Sequence, residues 1–120
     1  MTADATGLDP TDVGVHDLVA PATPLPEHET LDAAGELLRA LAAPVRIAVV
    51  LELRSSPRCV HELVDTLGVT QPLISQHLRV LKGAGVVRGE RRGREVVYRL
   101  VDDHLAHIVV DAVEHVQEDP

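Results

Sequence analysis

The residues best able to do chemistry cluster near the C-terminal end: Asp102, His104, His107, Asp111, His115 and Glu118. Imidazole nitrogens and carboxylate oxygens are donors for zinc and its first-row neighbours. His104 and His115 are eleven residues apart, about three helical turns. A helix would put them on one face but about 16 Å apart along its axis. A Zn–N bond is about 2 Å long, so one helix cannot close both imidazoles onto a single ion. Two copies running antiparallel can. Asp102 and His104 of one then meet His115 and Glu118 of the other, twice per pair. Two imidazoles and two carboxylates make a four-coordinate zinc site, open also to cobalt or nickel. Asp102 and His104 would diverge on a regular helix, so Asp102 must stand at the helix start, where the backbone is not yet helical. His107 and Asp111, at i and i+4, are expected behind the ligands or in solvent, with either able to compete as a ligand.

A second group is Cys59, His61 and Glu62, a lesser candidate for a metal or redox site. Cys59 is the sole cysteine, which rules out an internal disulfide framework. A hydrolytic zinc site needs an open coordination position, and no His-Glu-x-x-His pattern is present. Catalysis is therefore not expected.

The third group is cationic. The net charge is −8, which argues against nucleic acid until its distribution is followed. Residues 1–36 hold eight acids and no Lys or Arg, and residues 100–120 hold six acids and none. Between them, residues 79–99 carry seven Lys and Arg against two Glu. A basic block between acidic flanks is an electrostatic footprint for phosphate that the overall charge conceals.

These groups need a scaffold, and 120 residues allow one modest domain. With no Phe, no Trp and only Tyr98, the core must be built of aliphatic side chains. A small aliphatic core tends to leave apolar helix faces in need of a partner, so an oligomer is expected. No apolar run approaches 18 residues and no signal peptide is evident, which predicts a cytoplasmic protein without membrane contact.

Residues 1–29, acidic and carrying Pro10, Pro21, Pro24 and Pro26, read as a mobile arm. A domain is expected over 30–118. Leu31, Ala34, Leu37, Leu38 and Leu41 recur at helical spacing up to Pro44, which suits the first turn of a second helix reaching Arg54. A third helix spans Val60–Leu67 and is closed by Gly68. Thr70 is an N-cap for a fourth, ending near Gly83 and Gly85. The period then changes to two. Val86–Arg88 and Val96–Leu100 flank Glu90–Arg94, a charged turn, and predict a hairpin. A last helix runs from Asp102–Asp103 to about Glu118.

The fold class that results is mainly α with a small β-hairpin, a winged helix-turn-helix. On the fourth helix Leu73, Ile74, Leu78, Val80 and Leu81 fall in one arc together with His77, which is therefore assigned to packing. Gln71, Ser75, Arg79 and Lys82 fall opposite, with Gln76 at the edge. That outer face, with Thr70, can donate and accept against base edges in the major groove. Arg91, Arg92 and Arg94 at the hairpin tip would neutralise phosphates.

The ordered motifs Cys59–Val60–His61–Glu62–Leu63, Gln71–Pro72–Leu73–Ile74–Ser75–Gln76–His77–Leu78 and Leu81–Lys82–Gly83–Ala84–Gly85–Val86–Val87 resemble the ArsR/SmtB family of metal-sensing repressors. Arg92–Gly93–Arg94–Glu95–Val96–Val97–Tyr98–Arg99–Leu100 is similar to that family's wing. The resemblance covers about residues 30–118. It implies a bacterial homodimer joined through the first and last helices, which binds a palindromic double-stranded operator and is released by metal. The zinc-sensing branch looks similar at Asp102, His104, His115 and Glu118. Some family members also bind metal at the start of the third helix with help from cysteines in the N-terminal arm. This arm has only His16 and His28, and His61 replaces the family's second helix cysteine, which argues against a thiolate site for cadmium, lead or arsenite and favours Cys59 as a small buried hydrophobe. Two other readings are a repressor of the same fold that senses a thiol oxidant at Cys59, and a metal-buffering protein with incidental DNA affinity.

Overall fold

The computed structural model describes residues 22–118, and most of the expected arm lies outside them. Five helices and three strands follow in order: α1 (His28–Leu41), α2 (Pro44–Leu53), β1 (Arg58–Cys59), α3 (Val60–Leu67), α4 (Gln71–Gly83), β2 (Val87–Arg92), β3 (Glu95–Leu100) and α5 (Asp103–Gln117). The strands form one antiparallel sheet in the order β1-β3-β2. None of the described helices is long and apolar enough to cross a membrane.

The aliphatic core expected from composition is present. α2, almost wholly apolar in sequence, buries Val49, Val50 and Leu53 at its centre. Around it pack Leu41 of α1, Leu63 of α3, Ile74, Leu78 and Leu81 of α4, Val86, Val87, and Leu105 and Val109 of α5. Leu63, Ile74 and Leu81 are fully buried, and each contributes about 1.5–3 kcal/mol by leaving water. These residues lock α3 against α4, the pair that presents the polar face described below.

The boundaries differ from expectation in three places, each for a local reason. α1 begins at His28, inside the segment read as arm, because the helix continues past the last core-facing residue; its first turn is wholly exposed. The hairpin strands extend through the charged stretch: Glu90, Arg91 and Arg92 pair with Val97, Val96 and Glu95, leaving a two-residue turn at Gly93–Arg94. Gly93 has φ +64°, the positive value that a tight hairpin turn requires. The third difference is β1. Two residues carry no period-two signal, yet Arg58 pairs with Tyr98 and Cys59 with Val97, capping the outer edge of β3.

Candidate nucleic-acid interface and metal-ligating clusters

α4 presents the outward face expected of it. Thr70, Gln71, Gln76, Arg79 and Lys82 are exposed and Ser75 is half-buried, while Ile74, Leu78 and Leu81 point into the core. The buried arc is narrower than the helical wheel implies, since Leu73 and Val80 are 47% and 39% exposed. His77 is half-buried, and its Nδ1 lies 3.2 Å from Nη1 of Arg46. It is a satisfied packing histidine, as its position in the apolar arc suggested.

Arg91, Arg92 and Arg94 are all exposed in the wing. Glu90 partly offsets this charge, lying 3.5 Å from Arg92 and 3.9 Å from Arg99. Gln71 at the start of α4 and Arg94 at the wing turn line the same cavity of about 300 Å³. The two cationic and hydrogen-bonding elements are therefore neighbours in space although 23 residues apart in sequence.

The candidate metal ligands of α5 are divided between its ends. Asp102 is the N-cap, with extended backbone (φ −156°, ψ 171°), and its Oδ1 accepts the Leu105 N–H at 3.3 Å. Because Asp102 stands outside the helix, it does not diverge from His104: Asp102 Oδ1 and His104 Nδ1 are 3.8 Å apart. This pair is exposed, His104 at 93% and Asp102 at 53%. His115 and Glu118, also exposed, stand in the last turn and at the C-cap. Eleven residues of regular helix hold the two ends about 16 Å apart. His107 and Asp111 are exposed between them.

A different arrangement surrounds Cys59. Its Sγ lies 3.4 Å from Nδ1 and 3.7 Å from Nε2 of His61. The third group here is Glu95 of β3: ligand atoms of Cys59, His61 and Glu95 all lie within 4.8 Å of one another. Glu62, singled out in the sequence, does not join them. Its Oε1 accepts the Cys59 N–H at 2.9 Å as the N3 residue of the α3 capping box. That bond holds the Glu62 carboxyl below its ordinary range. Burial, reinforced by the Glu95 and Glu62 carboxylates, pushes the Cys59 thiol up. Glu95 was missed by sequence reasoning; it stands on β3 two residues before Val97, the strand partner of Cys59.

Residues 43–88, from the end of α1 to the start of β2, match the model of the family described as "Bacterial regulatory protein, arsR family". The chain is 76% identical over 94 residues to the transcriptional repressor SmtB of Mycobacterium tuberculosis, covering 78% of this chain and 70% of that one. It is 37% identical over 102 residues to the transcriptional regulator NmtR of the same organism, covering 85% and 84%. Among solved structures, the homodimeric winged helix-turn-helix DNA-binding domain of a possible ArsR-family transcriptional regulator from Mycobacterium bovis superposes with a TM-score of 0.67. That match has 27% identity and covers 74% of this chain and 86% of the other.

Proposed function

The chain belongs to the arsR family of bacterial regulatory proteins, and on that premise we propose that it is a homodimeric transcriptional repressor released from operator DNA by zinc, with cobalt or nickel as alternatives. The observation that carries the DNA half is the shared cavity of Gln71 and Arg94, which sets the start of the reading helix beside the tip of the wing. Gln71, Ser75, Gln76 and Arg79 read base edges, Thr70 and Lys82 hold the flanking backbone, and Arg91, Arg92 and Arg94 neutralise phosphate. Specificity belongs to α4 and salt-dependent affinity to the wing.

The dimer is proposed through α1 and α5. Leu38, 54% exposed on α1, lines an apolar groove with Ile47, Ile108 and Ala112, and such a face is stabilised by a second copy. The donor set of α5 fits a zinc-class ion: two neutral imidazoles and two carboxylates, with Asp102 and His104 already converging at one end. Asp102 and His104 of one protomer with His115 and Glu118 of its partner would hold the ion, which when bound supplies a link between the two chains. The link favours a relative orientation of the two α4 helices that no longer matches the half-site spacing. By linkage, DNA must weaken metal binding by the same factor.

Burial of Cys59 and its raised thiol count against an oxidant sensor, because the reactive species is the thiolate. The test uses a palindromic duplex selected from random sequence by the metal-free protein. Zinc should weaken its binding by about 5–150-fold, the usual range of allosteric coupling, and His104→Ala/His115→Ala should bind equally well with or without zinc. Equal affinity of the wild type in both conditions would refute metal-dependent release.

A further inference from the structure

We propose that Arg46 is a positioning residue for operator recognition: through His77 it fastens the reading helix α4 to the C-terminal end of α1, so that α1 sets the angle at which α4 is presented. The role rests on the DNA-reading surface proposed above, whereas the contact itself does not. Arg46 lies in the first turn of α2 and is half-buried. Its Nε donates to the Ala40 carbonyl, and its Nη2 donates to the Arg39 carbonyl at 3.5 Å. Both carbonyls belong to the last turn of α1, where backbone acceptors run out of helical donors and the helix dipole favours a cation. The remaining nitrogen, Nη1, stands 3.2 Å from Nδ1 of His77 on α4. A guanidinium can only donate, so His77 accepts at Nδ1 and carries its proton on Nε2. One side chain of α2 thus holds the backbone of α1 and a side chain of α4 together.

Burial secures α4 on one side only. Ile74, Leu78 and Leu81 are buried there, and apolar burial is non-directional. Leu73, His77 and Val80 form a second stripe, at i, i+4 and i+7, whose two apolar members remain exposed. Beside Val80 a cleft of about 630 Å³ opens between α1 and α4, lined by Leu37 and Ala40 on one side, Val80 and Gly83 on the other, and Arg46. The two helices are left apart along this side, and the Arg46–His77 contact bridges them. Among the described residues no other side-chain hydrogen bond ties α4 to a neighbouring element. Hydrogen bonds are directional, so this one limits rotation of α4 about its own axis. That rotation would turn Gln71, Ser75, Gln76 and Arg79 away from the base edges. Arg46 also adjoins Ile47, which with Leu38 lines the apolar groove proposed for the second copy. A shift of α1 against its partner is therefore passed by Arg46 to the reading helix.

The test measures binding of the selected duplex and of a scrambled duplex by the full chain, metal-free, as wild type, Arg46→Met, His77→Leu, His77→Gln and Arg46→Met/His77→Leu. Arg46→Met and His77→Leu should each weaken the selected duplex by about tenfold or more, the scale of a hydrogen bond to a charged group. The scrambled duplex, held through phosphate, should be bound as before. The double variant should lose no more than either single one, because both remove the same contact. His77→Gln keeps an acceptor and should recover most of the affinity. The log–log salt slope should not change, since Arg46 holds carbonyls and an imidazole and no phosphate. A slope lower by about 0.9 in Arg46→Met would make Arg46 a phosphate contact and overturn the proposal. Unchanged binding of the selected duplex, equal weakening of both duplexes, or additive losses in the double variant would overturn it as well. Should Arg46→Met fail to fold, His77→Leu against His77→Gln carries the same comparison. NMR of the imidazole nitrogens checks the contact without DNA: His77 should carry its proton on Nε2, and a proton on Nδ1 would overturn the bridge. A wild type that bound no duplex at all would instead sink the proposed repressor function, and the NMR would still decide the contact.

Discussion

The ends of α5 and the cluster at Cys59 hold similar donors in opposite arrangements. On α5 the donors are exposed, separated by the length of a helix, and complete only when a second chain is supplied. At Cys59 they converge within one chain around a buried sulfur, brought together by a strand pairing. A site split across a dimer can report on how two subunits are oriented; a site closed within one subunit can report only on its own wing. The difference teaches that placement, more than donor identity, decides what a bound ion can control.

The strongest break in this comparison is His104→Ala/His115→Ala. Metal-dependent release should disappear, a loss of about 1–3 kcal/mol of coupling, while metal-free affinity for the selected duplex persists. Simultaneous loss of that affinity would mean that the two histidines support DNA binding as well as release.

The comparison is sharpened from the wing side at Gly89. This residue pairs with Tyr98, and an added Cβ would stand 2.9 Å from Val96 Cγ1 and 3.1 Å from Tyr98 Cε1. Val96 and Tyr98 also line the cavity at Cys59. Gly89→Ala must therefore push β3 or its side chains, at a cost of about 1–3 kcal/mol. Chemical denaturation should show that loss, and zinc-dependent release through α5 should keep its magnitude. A fully stable variant would show that the wing absorbs the methyl group without moving β3.

The two regions also differ in how legible they were. The placement of the α5 candidates at the two ends of one helix could be read from residue type, helical spacing and the family resemblance together. Even the extended backbone of Asp102 followed from the need to bring its carboxylate to His104. The α4 face was legible for the same reason, apart from Leu73 and Val80, whose exposure depends on how deeply the helix sits against α2. The cluster at Cys59 was legible only in part, as Cys59 and His61. Glu62 is the neighbour in sequence and has the right chemistry, but its carboxylate is taken by the Cys59 N–H. Glu95 arrives through β1, a two-residue strand with no pattern of its own. Local signals reveal what one element carries; strand register decides which elements meet.

Asp102 offers a smaller test, because it acts both as a ligand candidate and as the N-cap of α5. Asp102→Ala should lose about 1 kcal/mol from the missing cap together with metal-dependent release. Asp102→Ser retains a capping oxygen and should recover most of the stability but none of the release. Recovery of release by serine would show that the cap, and not the carboxylate, matters.

The smallest effect is expected at Glu62, and it discriminates most sharply between the two carboxylates near Cys59. Glu62→Gln keeps an oxygen that can still accept the Cys59 N–H, but it removes the charge that favours the first turn of α3. Thermal stability should fall slightly, and less than in Glu62→Ala, which also leaves the Cys59 N–H without its side-chain partner. Glu95→Gln, which removes no cap, should leave thermal stability unchanged. The reverse pattern, with stability lost at Glu95 and retained at Glu62, would mean that Cys59 is held by the wing and not by the cap.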